Sequence, residues 1–219
     1  MLNEDVYGVV QFLKDYPGMS IAPSRSSDLV FKGCFSFTVK RNGGTQIVDN
    51  YQIEVSVPAV FPKAIPNVFE TGNKIPRDRD YHVNDDNTLC LGSPLRLMQK
   101  ISQKPTLVGF SESCLVPYLY AVSFKLQNGG DFIFSELAHG RNGIIADYLD
   151  LFSLKTPSQV MQTLNLLGMK QRIANKKPCP CGCGNRLAKC SFHGKLNSYR
   201  KIAPRNWFRN HFAKIGAGM

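Results

Sequence analysis

The sequence predicts an α+β protein. It reads as an N-terminal helix, an antiparallel meander sheet, a polar loop carrying one cysteine, C-terminal helices, and a small zinc-binding tail. Three observations lead there. Apolar and polar residues alternate on both sides of Asn42-Gly43-Gly44, the pattern of a half-buried hairpin. Apolar residues recur three and four apart in several later stretches, as in helices with one buried face. Four of the seven cysteines (Cys179, Cys181, Cys183 and Cys190) crowd into one short run.

Taken in order, residues 3–15 carry Val6, Val9, Val10, Phe12 and Leu13 at helical spacing, and Tyr16-Pro17-Gly18 ends the helix. Leu29 to Lys40 is aromatic and β-branched, a strand with Cys34 expected in the core. Ile47 to Val57 alternates through Tyr51, Ile53 and Val55 and forms the second strand. Pro58, Pro62 and Pro66 exclude a central strand and make a stiff link to a short strand at Asn67 to Glu70. A charged loop then delivers the chain to Tyr81-His82-Val83-Asn84-Asp85-Asp86-Asn87-Thr88-Leu89-Cys90-Leu91-Gly92. Helices are expected over Leu95–Ile101, over Leu115–Leu126 with Pro117 in its first turn, from near Asn142, and over 156–175 starting at Thr156-Pro157-Ser158. Cys114 reads as a packing or capping-region residue, and His139 as a capping or core histidine or as one that approaches the active site.

Charge divides the chain. Residues 1–150 hold 14 Lys and Arg against 16 Asp and Glu, whereas residues 151–219 hold 13 Lys and Arg and no acid. Such an asymmetry points to an anionic partner for the tail, nucleic acid or an acidic protein face, or to a solvated basic surface. No run of eighteen apolar residues marks a membrane span. The acidic Met1-Leu2-Asn3-Glu4-Asp5 lacks the apolar stretch of a secretory leader. An odd, clustered cysteine set suits a reducing compartment, so the cytoplasm is expected.

Two sites stand out. Cys90 follows a run of Asn and Asp, with His82 eight and Asn84 six residues before it. A thiol beside imidazole and amide groups is the arrangement of covalent cysteine chemistry, while the plain alternative is a small buried hydrophobe. The order helix, hairpin, Pro-rich link, short strand, polar loop and cysteine resembles the ubiquitin-conjugating-enzyme (UBC) fold. That family carries a His-Pro-Asn loop and then an aliphatic-Cys-Leu step, matched here by His82-Val83-Asn84 and Leu89-Cys90-Leu91. The likeness covers residues 3–152 as architecture and 57–92 as motif. Where eukaryotic members place the loop asparagine that steadies the oxyanion, this chain has His82, as divergent bacterial members do. The resemblance therefore implies thioester transfer on Cys90, with His82 first and Asn84 second as the assisting group. The His139-Gly140 step is similar to bacterial UBC-like proteins encoded in anti-phage CBASS operons. That likeness implies a cGAS/DncV-like nucleotidyltransferase as cargo and a possible separate activating enzyme. A rival reading is a non-catalytic UBC-like adaptor whose zinc tail binds nucleic acid.

The second site is Pro178-Cys179-Pro180-Cys181-Gly182-Cys183-Gly184, followed by Cys190 and His193. Thiolates with an imidazole select zinc, and Cys-x-Cys is not the usual redox spacing. The run resembles the SEC-C zinc motif, in which Cys179, Cys181 and Cys190 match. His193 is favoured as the fourth ligand, displaced by two residues, and Cys183, standing where the motif has serine, is the alternative. The expected organisation is a UBC-like domain over 1–152 and a basic zinc-binding region over 153–219. Beyond the cysteines, the aromatics among the Arg and Lys of Tyr199 to Phe212 are candidates for stacking on nucleic acid or docking in a protein groove.

Overall fold

Phe31, Phe35 and Phe37 recur every second or fourth position, so an extended chain turns all three to one face, and all three are buried. That segment is one of the two inner strands of the sheet in a computed structural model of the chain, which describes residues 6–40, 45–130, 132 and 140–217. The strands β1 (Met19–Ala22), β2 (Leu29–Lys40), β3 (Gln46–Val57) and β4 (Asn67–Glu70) form an antiparallel meander in the order β1-β2-β3-β4. Phe35 pairs with Tyr51 and Phe31 with Val55, so the large residues of β2 and β3 line the same face. The expected Asn42-Gly43-Gly44 turn and His139 lie outside the described residues.

Strand β1 has no counterpart among the sequence-based expectations. It pairs with β2 from Met19 opposite Gly33 to Ala22 opposite Val30. The contact depends on Gly33, at φ 145°, where an added Cβ would stand 2.1 Å from the Gly18 carbonyl oxygen. Cys34, expected in the core, lies on the other face of β2 between exposed Lys32 and Ser36 and is half-buried, because its parity is opposite to that of the phenylalanines.

Helix α1 (Val9–Asp15) sends Phe12 against Phe31, ring centroids 5.0 Å apart. After α2 (Pro94–Gln103), a continuous helical run fills the centre of this unit. It comprises α3 (Leu107–Phe110), a π-helical stretch Ser111–Leu115, and α4 (Val116–Asn128). Thr106 caps it, accepting from the Gly109 N–H at 3.0 Å. The helix therefore begins earlier than the expected Leu115, and Cys114 sits buried in its π turn. Leu107–Asn128 is long and apolar enough to cross a bilayer, but 78% of its apolar window is buried inside the protein, as in a core helix. One polar network ties α4 to the sheet. Tyr51 Oη and Ser123 Oγ lie 2.7 Å apart, and Ser123 Oγ donates to Asp49 Oδ2 at 2.8 Å. Lys74 closes the network on the other Asp49 oxygen. Burial opposes ionisation of Asp49, but the Lys74 and Ser123 hydrogen bonds win and lower its pKa.

The chain splits into two compact units, Met1–Glu136 and Leu137–Met219, so the boundary precedes the expected 152/153. Helix α5 (Gly140–Phe152) belongs to the second unit, with α6 (Pro157–Gly168), α7 (Gln171–Ala174), α8 (Phe192–Ile202) and α9 (Arg205–Gly216). Its apolar face finds its partners there. Tyr148 Oη lies 2.7 Å from His211 Nε2, and the Phe152 ring meets Tyr199 at 5.1 Å. Helix α6 starts at Thr156-Pro157-Ser158 as expected, and Thr156 and Gln159 form a capping box there. The single helix expected over 156–175 breaks at Met169, whose extended ψ of 160° separates α6 from α7.

Candidate functional site

The cysteine loop is a small β-ribbon. Val83 bridges Leu89, the Asn84 N–H donates to the Thr88 carbonyl at 2.9 Å, and the Cys90 N–H donates to the His82 carbonyl at 2.8 Å. Its turn, Asn84 to Asn87, closes with the Asn87 N–H on the Asn84 carbonyl at 2.8 Å and puts Asn87 in the left-handed region at φ 65°. Asparagine tolerates that conformation, which is why an Asn/Asp run builds the turn. Asp86 Oδ1 accepts from both the N–H and the hydroxyl of Thr88, and these bonds lower the Asp86 pKa. The ribbon is sewn to the sheet by the Leu89 N–H on the Val68 carbonyl at 2.8 Å and by a Phe69–Thr88 bridge.

His82 and Cys90 are therefore direct cross-strand partners, both half-buried. His82 takes a left-handed φ of 54° and sets its ring 4.7 Å from Phe132. Asn84 stands at the other end of the ribbon. Its Nδ2 donates to Thr88 Oγ1 at 2.9 Å and braces the turn. The structure thus joins His82 to Cys90 and gives Asn84 a local partner. Burial pushes the Cys90 thiol above its ordinary pKa, and the Gly92 N–H directed at the sulfur offsets this only in part. Cys90 is accordingly a protonated thiol at neutral pH, in a loop that leads through Ser93 into α2.

Tyr118 is a neighbour that sequence reasoning missed. Buried on α4, its hydroxyl donates to the Tyr81 carbonyl at 2.7 Å, and its ring lies 6.1 Å from Phe132. Burial raises its phenol pKa, and the nearby Cys90 sulfur raises it further. Only helical spacing was legible at this position, and spacing does not say that one face of α4 underlies the cysteine loop.

In the second unit, Gly182 (φ 85°) and Gly184 (φ 75°) let the chain coil tightly around Cys183. The sulfurs of Cys179, Cys181, Cys183 and Cys190 all lie within 4.8 Å of one another. Cys179 and Cys181 are 3.2 Å apart, and Cys181 and Cys190 are 3.6 Å apart. A tetrahedron of sulfurs at the usual Zn–S distance of about 2.3 Å has edges of about 3.8 Å, so the donor set fits a metal ion. The Phe192 N–H reaches the Cys190 sulfur at 3.5 Å, a contact that suits a thiolate. Cys183 takes the fourth position for which His193 was favoured. His193 sits in the first turn of α8, with Nε2 3.2 Å from Asn197 Nδ2, because the helix carries its side chain along its own axis to position i+4. Four sulfurs so placed could hold one metal ion and would leave it no open coordination position.

Of the aromatics in Tyr199–Phe212, Trp207 and Phe212 are half-buried. Tyr199 and Phe208 are buried in the second unit's own core, and Trp207 stacks on His211 at 4.7 Å.

Compared with known proteins, the chain matches no family model, no curated protein and no solved structure.

Proposed function

We propose that the chain is a UBC-like conjugating enzyme with Cys90 as its nucleophile. The observation that carries this reading is the backbone pairing of Cys90 with His82 in a half-buried ribbon beside a four-stranded antiparallel meander. A thioester donor loads the cargo's C-terminal acyl group onto Cys90 Sγ by exchange, releasing the donor thiol. A lysine amine then attacks the acyl carbon, the C–S bond breaks, an amide forms, and the amine proton passes to the departing sulfur. His82 would donate to the oxyanion or take up that proton, while Asn84, named second by the resemblance, is occupied in bracing the turn through Thr88. The resemblance to CBASS-encoded proteins supplies the cargo, a cGAS/DncV-like nucleotidyltransferase, and cytoplasmic anti-phage defence as the setting. The uniformly basic tail favours a second reading, a non-catalytic adaptor with Cys90 as packing.

The test is co-expression with a candidate cargo and activating enzyme. Wild type should form a thiol-sensitive adduct, Cys90→Ser a thiol-resistant ester, and Cys90→Ala neither. Undiminished conjugates in Cys90→Ala would leave the adaptor reading.

A further inference from the structure

The folding of the cysteine knuckle gathers charge that is scattered along the sequence. Segment 175–178 lies beside segment 185–188. The Cys179 N–H donates to the Asn185 carbonyl at 2.8 Å, Leu187 N–H to Lys177 at 2.9 Å, and Ala188 N–H to Asn175 at 3.2 Å, while Pro178 bridges Arg186. One turn earlier, the Lys176 N–H donates to the Ile173 carbonyl at 3.1 Å, which ties in Arg172 on α7. Arg172, Lys176, Lys177, Arg186 and Lys189 are all exposed on this small body. A tetrathiolate zinc centre would carry two negative charges, fewer than these five cations supply.

We propose that this knuckle is a docking surface for the phosphate backbone of nucleic acid. Residues 151–219 contain no carboxylate side chain, so the segment offers the cations no acidic neighbour. A protein partner would meet an interface whose centre is apolar and depleted in charge. Here the exposed residues between the cations are mostly small or polar, among them Gly182, Gly184, Asn185, Ala188 and Ser191, with Ile173 the one large apolar side chain. A polyanion with regularly spaced like charges suits that composition, and its condensed counterions are released on binding. No exposed aromatic stands among the five cations, so contacts at the knuckle itself are to phosphate rather than to bases, and binding there should be independent of sequence. The inference stands apart from any chemistry at Cys90.

The experiment is fluorescence anisotropy of the full chain with short labelled DNA and RNA oligonucleotides over a series of salt concentrations. The triple variant Lys176→Glu/Lys177→Glu/Lys189→Glu is compared with Lys155→Glu/Lys201→Glu/Lys214→Glu, an equal charge change at exposed positions elsewhere in the second unit. Knuckle substitution should weaken binding by about ten-fold or more and flatten the salt slope by roughly 0.7–0.9 per lost phosphate contact, with the control triple far closer to wild type. Equal losses in the two variants would show bulk charge and overturn the proposal. So would tight binding to anionic phospholipid vesicles or to a polyglutamate probe with none to oligonucleotide. Circular dichroism of each variant, matched to wild type, separates a lost surface from a lost fold.

Discussion

The Cys90 N–H donates to the His82 carbonyl oxygen at 2.8 Å, which makes two residues eight positions apart direct neighbours across a ribbon. The link is a backbone one, and His82 adopts it at a left-handed φ of 54° with its ring 4.7 Å from Phe132. Under the proposed reading, His82→Ala should leave thioester loading near wild type and slow amide formation by about 10²–10⁴ fold. Single-turnover discharge of the preloaded thioester onto lysine measures this. Equal loss of loading and discharge would indicate a collapsed ribbon.

Cys90 should also titrate late. Its thiol is pushed up by burial, so thiolate appears only above the range of an ordinary cysteine. Alkylation of Cys90 by iodoacetamide, followed by peptide mass spectrometry against pH, should rise at higher pH than that of free cysteine. Tyr118→Phe removes the hydroxyl that holds the Tyr81 carbonyl and should raise the alkylation rate by loosening the ribbon. A Cys90 that alkylates fully at neutral pH would contradict the burial seen here.

Metal content discriminates Cys183 from His193. The purified protein should carry about one zinc ion per chain, with Cys183→Ser lowering occupancy and His193→Ala leaving it near wild type. Anaerobic purification with elemental analysis reads this directly. Chelation should disorder the knuckle while Met1–Glu136, which has its own sheet and core, keeps its unfolding transition.

His211 gives the second unit a pH dependence. Burial, and then Lys214, bring its pKa from 6.5 down to about 4, while Tyr148 Oη and the Trp207 ring face the imidazole. Between those values the unfolded chain binds a proton here that the folded unit does not. Stability is therefore lost as pH falls through that window and levels off below it, by roughly 3 kcal/mol in all. His211→Gln should flatten the difference. Urea unfolding followed by Trp207, the only tryptophan, at about pH 7 and about pH 4 measures it. Any acid loss of metal is common to both proteins and cancels in the comparison.

The sequence by itself determined the elements that have their own periodicity. Strands β2 and β3 announce themselves because alternation over many residues has one extended solution, and α2 because Leu95, Leu97, Met98 and Ile101 share one face. The cysteine crowd at 179–190 and the loss of acids after Asp150 were equally legible. What tertiary structure decided lies where the local pattern is short or two partners compete. Four residues of β1 carry no readable alternation and become a strand only because Gly33 lets Gly18 approach β2. Helix α5 joins the second unit because Tyr148 and Phe152 find His211 and Tyr199, a choice between apolar partners that α5 alone cannot express. Cys183 displaces His193 because two left-handed glycines turn its sulfur toward the other three, while α8 carries the imidazole to Asn197. Tyr118 becomes a neighbour of Cys90 only when α4 packs beneath the ribbon. Period and composition are properties of a segment, whereas pairing, burial and ligand choice depend on which distant surfaces meet.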